Sequence, residues 1–198
     1  MPLIQSNRRS VTTFAGTVKQ QAVTLGTPLG ISWATLGANT LLGGALNQFG
    51  IVPRTERGLW GILFAPFLHA NVAHLAANSV SLLVLGWLTL AFAGRRTFWI
   101  VSASAALGAG LCAWTFGPPG TVHIGASGVI FGYLGYLMLS GWYARRVMPL
   151  LVSLAVTAMW GGMVLGVLPG QMGISWQAHL GGFIGGVLAA RALHSRTR

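Results

Sequence analysis

Long apolar segments without charged residues dominate the pattern of this chain. No Lys, Arg, Asp or Glu occurs in residues 20–53, 58–94, 97–144 and 147–190. Each run exceeds the roughly 20 apolar residues that a helix needs to cross a bilayer. Two of the runs are interrupted by helix-breaking sequences, Gly117-Pro118-Pro119-Gly120 and Leu168-Pro169-Gly170. Because backbone groups in lipid must satisfy one another, we predict that the apolar segments are helices.

The apolar pattern divides into six predicted spans. They lie at about 28–49, 70–93, 97–116, 127–144, 147–168 and 175–193. We therefore predict an all-α polytopic membrane protein built as a six-transmembrane-helix bundle. Its predicted parts are a flexible N-terminal tail at 1–26, a six-helix domain at 27–194 and a C-terminal tail at 195–198. The connection at 50–69 is predicted to be a compact loop, partly immersed in lipid through its aromatic residues.

Composition also favours lipid as the solvent of this chain. Of its 198 residues, 54% are hydrophobic and 7% are charged, whereas typical soluble domains carry about 25% charged residues. The net charge of +11 leaves nucleic-acid binding as a distant alternative. The basic residues occur instead as short groups beside apolar runs. This arrangement indicates topology, with attraction to anionic lipid head groups as a secondary effect.

The basic residues also orient the predicted spans. With six spans, ten Lys and Arg residues lie on the side of the termini, and only Arg54 and Arg57 lie on the other side. This asymmetry predicts that both termini are cytoplasmic. The compact layout leads us to expect the plasma membrane of a bacterium.

Acidic residues are almost absent, which restricts the chemistry. Glu56 is the only carboxylate side chain, and the chain has no aspartate. This excludes a paired-carboxylate mechanism, a conventional magnesium site and a Ser-His-Asp triad. The single cysteine, Cys112, excludes an intramolecular disulfide.

Four polar side chains are predicted at matching depths in three spans. His74 and Asn78 lie one turn apart on one face of the second span, because residues i and i+4 are neighbours on a helix. Ser127 begins the fourth span, and His179 lies about one turn into the sixth. Since these spans run in the same direction, the four groups fall within the outer third of the membrane. Taken singly, each could serve packing, capping or interhelical hydrogen bonding.

Together these groups predict a Ser-His dyad. Ser127, within Gly125-Ala126-Ser127-Gly128, is the candidate nucleophile, and the neutral imidazole of His179 is the candidate base. With no carboxylate to orient the base, packing must do so, and Phe131 is placed to offer its ring to His179. His74 and Asn78 are candidate donors to an oxyanion, together with the Ser127 backbone N–H.

Small residues and histidines complete the picture. Glycines recur on the fourth and sixth spans, at Gly128, Gly132, Gly135, Gly182 and Gly186, and their spacing predicts that these helices approach closely. A zinc site formed by His69, His74 and His179 is conceivable, but no acid or cysteine is positioned to complete it. We therefore expect no metal and no cofactor.

Three motifs, in this order and on these spans, resemble the rhomboid family of intramembrane serine proteases. The family's GxSG motif corresponds to Gly125-Ala126-Ser127-Gly128, and its His-x-x-x-Asn motif corresponds to His74-Leu75-Ala76-Ala77-Asn78. Its Ala-His followed by small residues corresponds to Ala178-His179-Leu180-Gly181-Gly182. An upstream histidine of the family corresponds to His69. The match covers roughly residues 28–194. The resemblance implies a rhomboid-like bundle with Ser127 as nucleophile, His179 as base, and His74 and Asn78 as oxyanion donors.

The resemblance also implies partners and motion. The partners would be transmembrane protein substrates and membrane lipid, with no nucleic acid and no metal. A water-accessible cavity would open to the outside, and the fifth span and the loop at 169–175 would move to admit substrate. Two positions depart from the family pattern: Gly61 follows Trp60 where an arginine is usual, and Phe131 stands where tyrosine is usual. The first departure concerns loop rigidity more than chemistry, whereas Phe131 keeps the aromatic ring and loses the hydroxyl.

Two rival functions remain beside the protease. A non-catalytic rhomboid-like protein would bind membrane helices, although such relatives typically lose the serine or histidine that this chain retains. A small transporter would usually show charged groups within its spans or a detectable repeat, and neither is evident.

Overall fold

The computed structural model describes residues 3–171 and 173–195, and these residues form an all-helical bundle. Its seven α-helices are α1 (Leu3–Leu41), α2 (Glu56–Phe64), α3 (Val72–Ser81), α4 (Trp87–Phe116), α5 (Ser127–Ala144), α6 (Val147–Trp160) and α7 (Trp176–Ser195). Short 3-10 segments occupy Ala45–Phe49, Ala65–Phe67 and Gly161–Val167, and one π-helical turn, Leu82–Gly86, joins α3 to α4. Arg196 and Arg198, which contribute to the predicted basic C-terminal tail, lie outside the described residues.

The long helical stretch from α3 to α4 is two segments joined at a glycine. Gly94 has φ 82° and ψ 167°, a conformation that glycine adopts readily and other residues avoid. The chain folds back there, because a β-carbon built on Gly86 would lie only 3.5 Å from the Phe98 ring. In a straight helix these two residues would be roughly 18 Å apart. The break lies between the predicted spans at 70–93 and 97–116.

Two helical segments in the described part of the chain meet the length and composition of a membrane span, Val72–Phe116 and Val147–Val167. The all-helical fold is therefore confirmed, whereas the predicted count of six spans is not confirmed. The helices α5 and α7 are rich in glycine and carry serine, tyrosine, histidine or arginine, which lowers their hydropathy. The same small residues allow these helices to lie deep inside the bundle.

Helix α5 is the centre of the bundle. It packs against α4, α6 and α7, and most of its residues between Gly128 and Gly141 are buried. A β-carbon on Gly182 would meet the Gly128 carbonyl oxygen, and one on Gly186 would meet that of Gly132. The predicted close approach of these two helices is thus confirmed. It brings the first residue of α5 beside the first turns of α7.

Two regions differ from the sequence prediction. Helix α1 extends back to Leu3, so the described part of the predicted flexible tail at 1–26 is helical. Residues 3–15 contain no glycine or proline, so no local breaker ends the helix there. At its other end, α1 stops at Leu41 rather than continuing to 49. Gly43 and Gly44, which have φ of 63° and 89°, turn the chain there.

The predicted loop at 50–69 contains the short helix α2. Thr55 caps this helix, since its side-chain oxygen accepts a hydrogen bond from the Gly58 N–H at 3.0 Å. A β-carbon on Gly61 would meet the Gly50 carbonyl oxygen and lie 2.6 Å from the Ile51 nitrogen. Gly61, which stands where the family usually has arginine, therefore lets α2 pack directly on the backbone of residues 50 and 51.

Candidate active site

Ser127 and His179 are joined across α5 and α7 by a hydrogen bond. The His179 Nε2 atom lies 2.8 Å from the Ser127 Oγ, and its Nδ1 atom lies 3.0 Å from the Gly166 carbonyl oxygen. A carbonyl oxygen can only accept, so Nδ1 carries the proton. In a neutral imidazole, Nε2 is then an acceptor, and the Ser127 hydroxyl donates to it. This is the tautomer that a general base requires.

The imidazole ring is held on two sides without a carboxylate. The Phe131 ring stacks on it with centroids 4.0 Å apart and an interplanar angle of 12°. Opposite the serine, Gly166 belongs to the 3-10 segment Gly161–Val167. A β-carbon there would lie 2.8 Å from the Phe131 Cζ and 3.3 Å from the His179 Nδ1. Glycine therefore allows its own carbonyl to reach the imidazole.

His74 and Asn78 lie on one face of α3, as their spacing predicts, and both side chains contact Gly125. A β-carbon on Gly125 would lie 2.9 Å from the His74 Nε2 and 3.4 Å from the Asn78 Nδ2. The Asn78 Nδ2 is buried and has no hydrogen-bond partner in the part of the chain that the structure describes. A buried amide without a partner is unusual, and here it leaves a donor available.

The turn before Ser127 depends on Gly125 and on His69. Gly125 has φ 118°, which favours glycine, and its N–H donates to the Ala65 carbonyl oxygen at 2.8 Å. The Ala126 N–H points at the His69 Nε2 at 3.4 Å. His69 is only 1% exposed, and its ring meets the edge of His74 with centroids 5.0 Å apart. His69 thus lies beneath the turn rather than in the cavity.

One cavity of about 970 Å³ collects these groups. Its lining includes Ser127, His179, His74 and Asn78, together with Gly125 and Gly128. The N-terminus of α5 lies at this cavity, where the first helical N–H groups lack partners within the helix. Parts of two connecting segments, 121–125 and 170–175, also line it. The arrangement places the candidate nucleophile, the candidate base and several hydrogen-bond donors around one space.

His123 and Ser175 form a contact that the sequence did not reveal. The Thr121 hydroxyl donates to the Pro118 carbonyl, so it accepts from the His123 Nε2–H at 3.0 Å. The His123 Nδ1 then accepts from the Ser175 hydroxyl at 2.7 Å. Ser175 Oγ also accepts a hydrogen bond from the Ala178 N–H. Ser175 therefore caps the start of α7, one turn before His179. Burial lowers the pKa of His123 and thus favours its neutral form.

The sequence offered little signal for these supporting residues. Gly166 acts through its backbone carbonyl, which no side-chain pattern marks. Ser175 precedes an apolar helix as an N-cap would, and His123 precedes the GxSG motif, but neither position alone indicates their hydrogen bond. Among the residues that the structure describes, no group of three His, Cys, Asp or Glu side chains is placed to hold a metal ion.

The chain belongs to the rhomboid family. A model of the Rhomboid domain matches residues 56–196, which include every predicted site residue. Membership of this family makes the chain an integral membrane protein, in agreement with its two long apolar helical segments.

Several known proteins are similar to this chain. An uncharacterized protein of Mycobacterium tuberculosis is 43% identical over 166 residues, which cover 80% of this chain and 69% of the relative. RHOMBOID-like protein 1 of Arabidopsis thaliana is 31% identical over 150 residues, covering 73% and 36% of the two chains. Rhomboid protease GluP of Bacillus subtilis is 27% identical over 170 residues, covering 83% and 32%. The match thus spans about a third of the length of the last two proteins.

Proposed function

We propose that this protein is an intramembrane serine endopeptidase that cleaves transmembrane segments of membrane-protein substrates through a Ser127–His179 dyad. The observation that carries the proposal is the 2.8 Å hydrogen bond from Ser127 to His179, combined with the Gly166 carbonyl that sets the tautomer. Family membership and the similarity to a rhomboid protease add support.

The first half of the reaction forms an acyl-enzyme. Ser127 Oγ attacks the scissile carbonyl carbon while its proton passes to His179 Nε2. The resulting imidazolium keeps its Nδ1–H bond to Gly166, and the face of Phe131 stabilises its charge. Asn78 Nδ2, a ring N–H of His74 and the Ser127 backbone N–H donate to the oxyanion. The intermediate then collapses, and the leaving amine takes the proton from His179.

The second half restores the enzyme. Water entering from the cavity loses a proton to His179 Nε2 as its oxygen attacks the acyl carbon. A second tetrahedral intermediate uses the same donors. Its collapse breaks the ester bond, returns the proton to Ser127 Oγ and releases the carboxylic acid product. Neither half needs a metal, a cofactor or a carboxylate side chain.

The location of the site limits the substrate. Ser127 and His179 lie between helices, so a peptide must enter in extended form, and small residues fit best at the scissile bond. We place the site near the outer end of six spans formed by residues 27–194, with the tails at 1–26 and 195–198 both cytoplasmic. Entry would require movement of α6 and of the 169–175 segment, which borders the cavity. The mycobacterial relatives favour a bacterial plasma membrane.

The proposal is tested with the purified protein in liposomes that contain a type-I transmembrane substrate. Wild type should release product, whereas Ser127→Ala and His179→Ala should release none. Ser195→Ala, which removes an exposed hydroxyl at the far end of α7, is the matched control and should be fully active. Product formation by Ser127→Ala would overturn the dyad.

A fluorophosphonate probe separates the protease from the non-catalytic helix binder. It should label wild type at Ser127, and His179→Ala should lose the labelling because the hydroxyl is no longer activated. A wild-type protein that binds transmembrane peptides but neither cleaves them nor reacts with the probe would be a binder.

A further inference from the structure

A second cavity, of about 500 Å³, lies toward the other end of the bundle. Its walls come from α4, α5, α6 and α7. Tyr136 and Ser140 line it from α5, and at 1.5 Å per residue they lie roughly 14 and 20 Å along that helix from Ser127. The cavity is therefore separate from the Ser127–His179 site, and the proposed reaction does not use it.

The polar lining of this cavity is basic. Arg146 and His194 both contribute to its wall, and no acidic residue does. The only carboxylate side chain, Glu56, begins α2 on the side of the first cavity. Helix α6 also begins beside Arg146 with no side chain capping it, so its first N–H groups and its positive dipole end face the same region.

Tyr136 supplies the independent observation that points to a ligand. Its side chain is only 3% exposed and lines the cavity. Its hydroxyl makes no hydrogen bond to another described residue and, unlike the buried Asn78 Nδ2, its oxygen is open to the cavity. A phenolic O–H that shares a cavity wall with an arginine and a helix N-terminus is a donor set for an anion.

The rest of the cavity is apolar and has room for more than a free ion. The larger apolar side chains in its wall are Phe92, Leu137, Met148, Val152 and Leu193. Its volume lies within the roughly 300–1,000 Å³ of small-molecule sites. A ligand with a phosphate group and a hydrocarbon chain would match this lining, because the phosphate would contact the basic residues and the hydrocarbon would contact the apolar wall.

We propose that this cavity binds a phosphate-bearing anion through Arg146, Tyr136 and the N-terminus of α6. The phosphate is supplied by the head group of an anionic lipid or by a free phosphate ion, and the apolar wall favours the lipid. The site is a structural feature of the bundle that is independent of the chemistry at Ser127.

The test measures lipid retention by native mass spectrometry on the delipidated full-length protein. The probes are phosphatidylglycerol, phosphatidylcholine and inorganic phosphate. Wild type should bind phosphatidylglycerol at least about tenfold more tightly than phosphatidylcholine. Tyr136→Phe, which removes only the unpaired hydroxyl, and Arg146→Gln should each weaken phosphatidylglycerol binding about tenfold. Arg145→Gln removes the same charge one residue away, outside the cavity wall, and should change binding less than twofold.

The outcomes are distinct. If millimolar inorganic phosphate displaces phosphatidylglycerol, the site binds free phosphate. If phosphatidylglycerol stays bound, the site binds the lipid. If Arg145→Gln and Arg146→Gln weaken phosphatidylglycerol binding equally, the lipid is attracted only by surface charge and the proposed site is overturned. Unchanged binding by Tyr136→Phe would also overturn it. The melting temperature of Tyr136→Phe should equal that of wild type, because the hydroxyl has no partner to lose.

Discussion

At the residue scale, the proposed dyad has a backbone carbonyl where a carboxylate usually orients the imidazole of a catalytic histidine. The Gly166 carbonyl oxygen accepts from His179 Nδ1, and the Phe131 ring covers one face of the imidazole. A neutral acceptor leaves the imidazolium less stabilised than a carboxylate would. The orientation of the base therefore depends on packing, and small changes in packing should alter the rate.

Gly166→Ala tests this dependence. The added methyl would lie within 3.3 Å of both the Phe131 ring and His179, so it should displace the carbonyl from Nδ1. We expect the cleavage rate and the fluorophosphonate labelling rate to fall together by about 100-fold, as a misplacement of about 1 Å can cause. Gly162→Ala is the matched control, since its methyl would meet nothing within 4 Å. Equal rates in the two variants would contradict the role of Gly166.

Asn78→Ala separates catalysis from stability at a single residue. Loss of one oxyanion donor costs about 2.7–4 kcal/mol of transition-state stabilisation, so kcat should fall about 100- to 1,000-fold. The Asn78 amide is buried with no partner for its Nδ2, so removing it should leave the melting temperature unchanged or raise it. A large fall in melting temperature would instead assign Asn78 a structural role. Cleavage kinetics and thermal unfolding of the same preparation measure kcat and the melting temperature.

At the element scale, the contact between α5 and α7 sets the distance between Ser127 and His179, the proposed nucleophile and base. Gly182→Ala would push a methyl into the Gly128 carbonyl oxygen, which belongs to the residue after Ser127. Overpacking of this kind typically costs about 1–3 kcal/mol, more than the gain of up to about 1 kcal/mol in helix propensity. We expect a lower unfolding free energy and a slower cleavage rate.

The control for this variant is Gly37→Ala in the exposed part of α1. A methyl there would meet nothing within 4 Å, so this substitution should be neutral or stabilise by about 0.5–1 kcal/mol. Chemical denaturation in mild detergent measures both variants. Similar unfolding free energies for the two would show that α5 and α7 have room to separate.

The start of α7 should respond to pH through His123. Burial lowers the pKa of His123 below its ordinary value of 6.5, so the folded protein disfavours the proton that the unfolded chain accepts. The stabilisation is fully present above pH 6.5 and is lost as the pH falls below it. The melting temperature of wild type should therefore fall between pH 7 and pH 5. His123→Gln should show a smaller fall, and equal falls would place the titration elsewhere.

At the scale of the whole molecule, the sequence predicted what side chains and long apolar runs encode. Ser127, His179, His74 and Asn78 line one cavity in the structure, and the chain reverses at Gly94 between two predicted spans. The roles of these residues remain predictions. The sequence could not show the Gly166 contact, because a backbone carbonyl has no residue signature. It also missed α2, whose nine residues are too short for a clear period.

The predicted crossing of the membrane by six spans can be tested at the connections between helices, since two helical segments of the described residues are long and apolar enough to cross a membrane. Arg96, Pro119 and Arg145 are exposed residues in three successive connections. In a Cys112→Ala background, Arg96→Cys and Arg145→Cys should react with an impermeant maleimide only after the cells are opened. Pro119→Cys should react in intact cells, because both flanking helices end there on the outer side. Labelling of all three from the same side would mean that residues 97–116 and 127–144 do not cross, and the proposed outward-facing site would then be wrong.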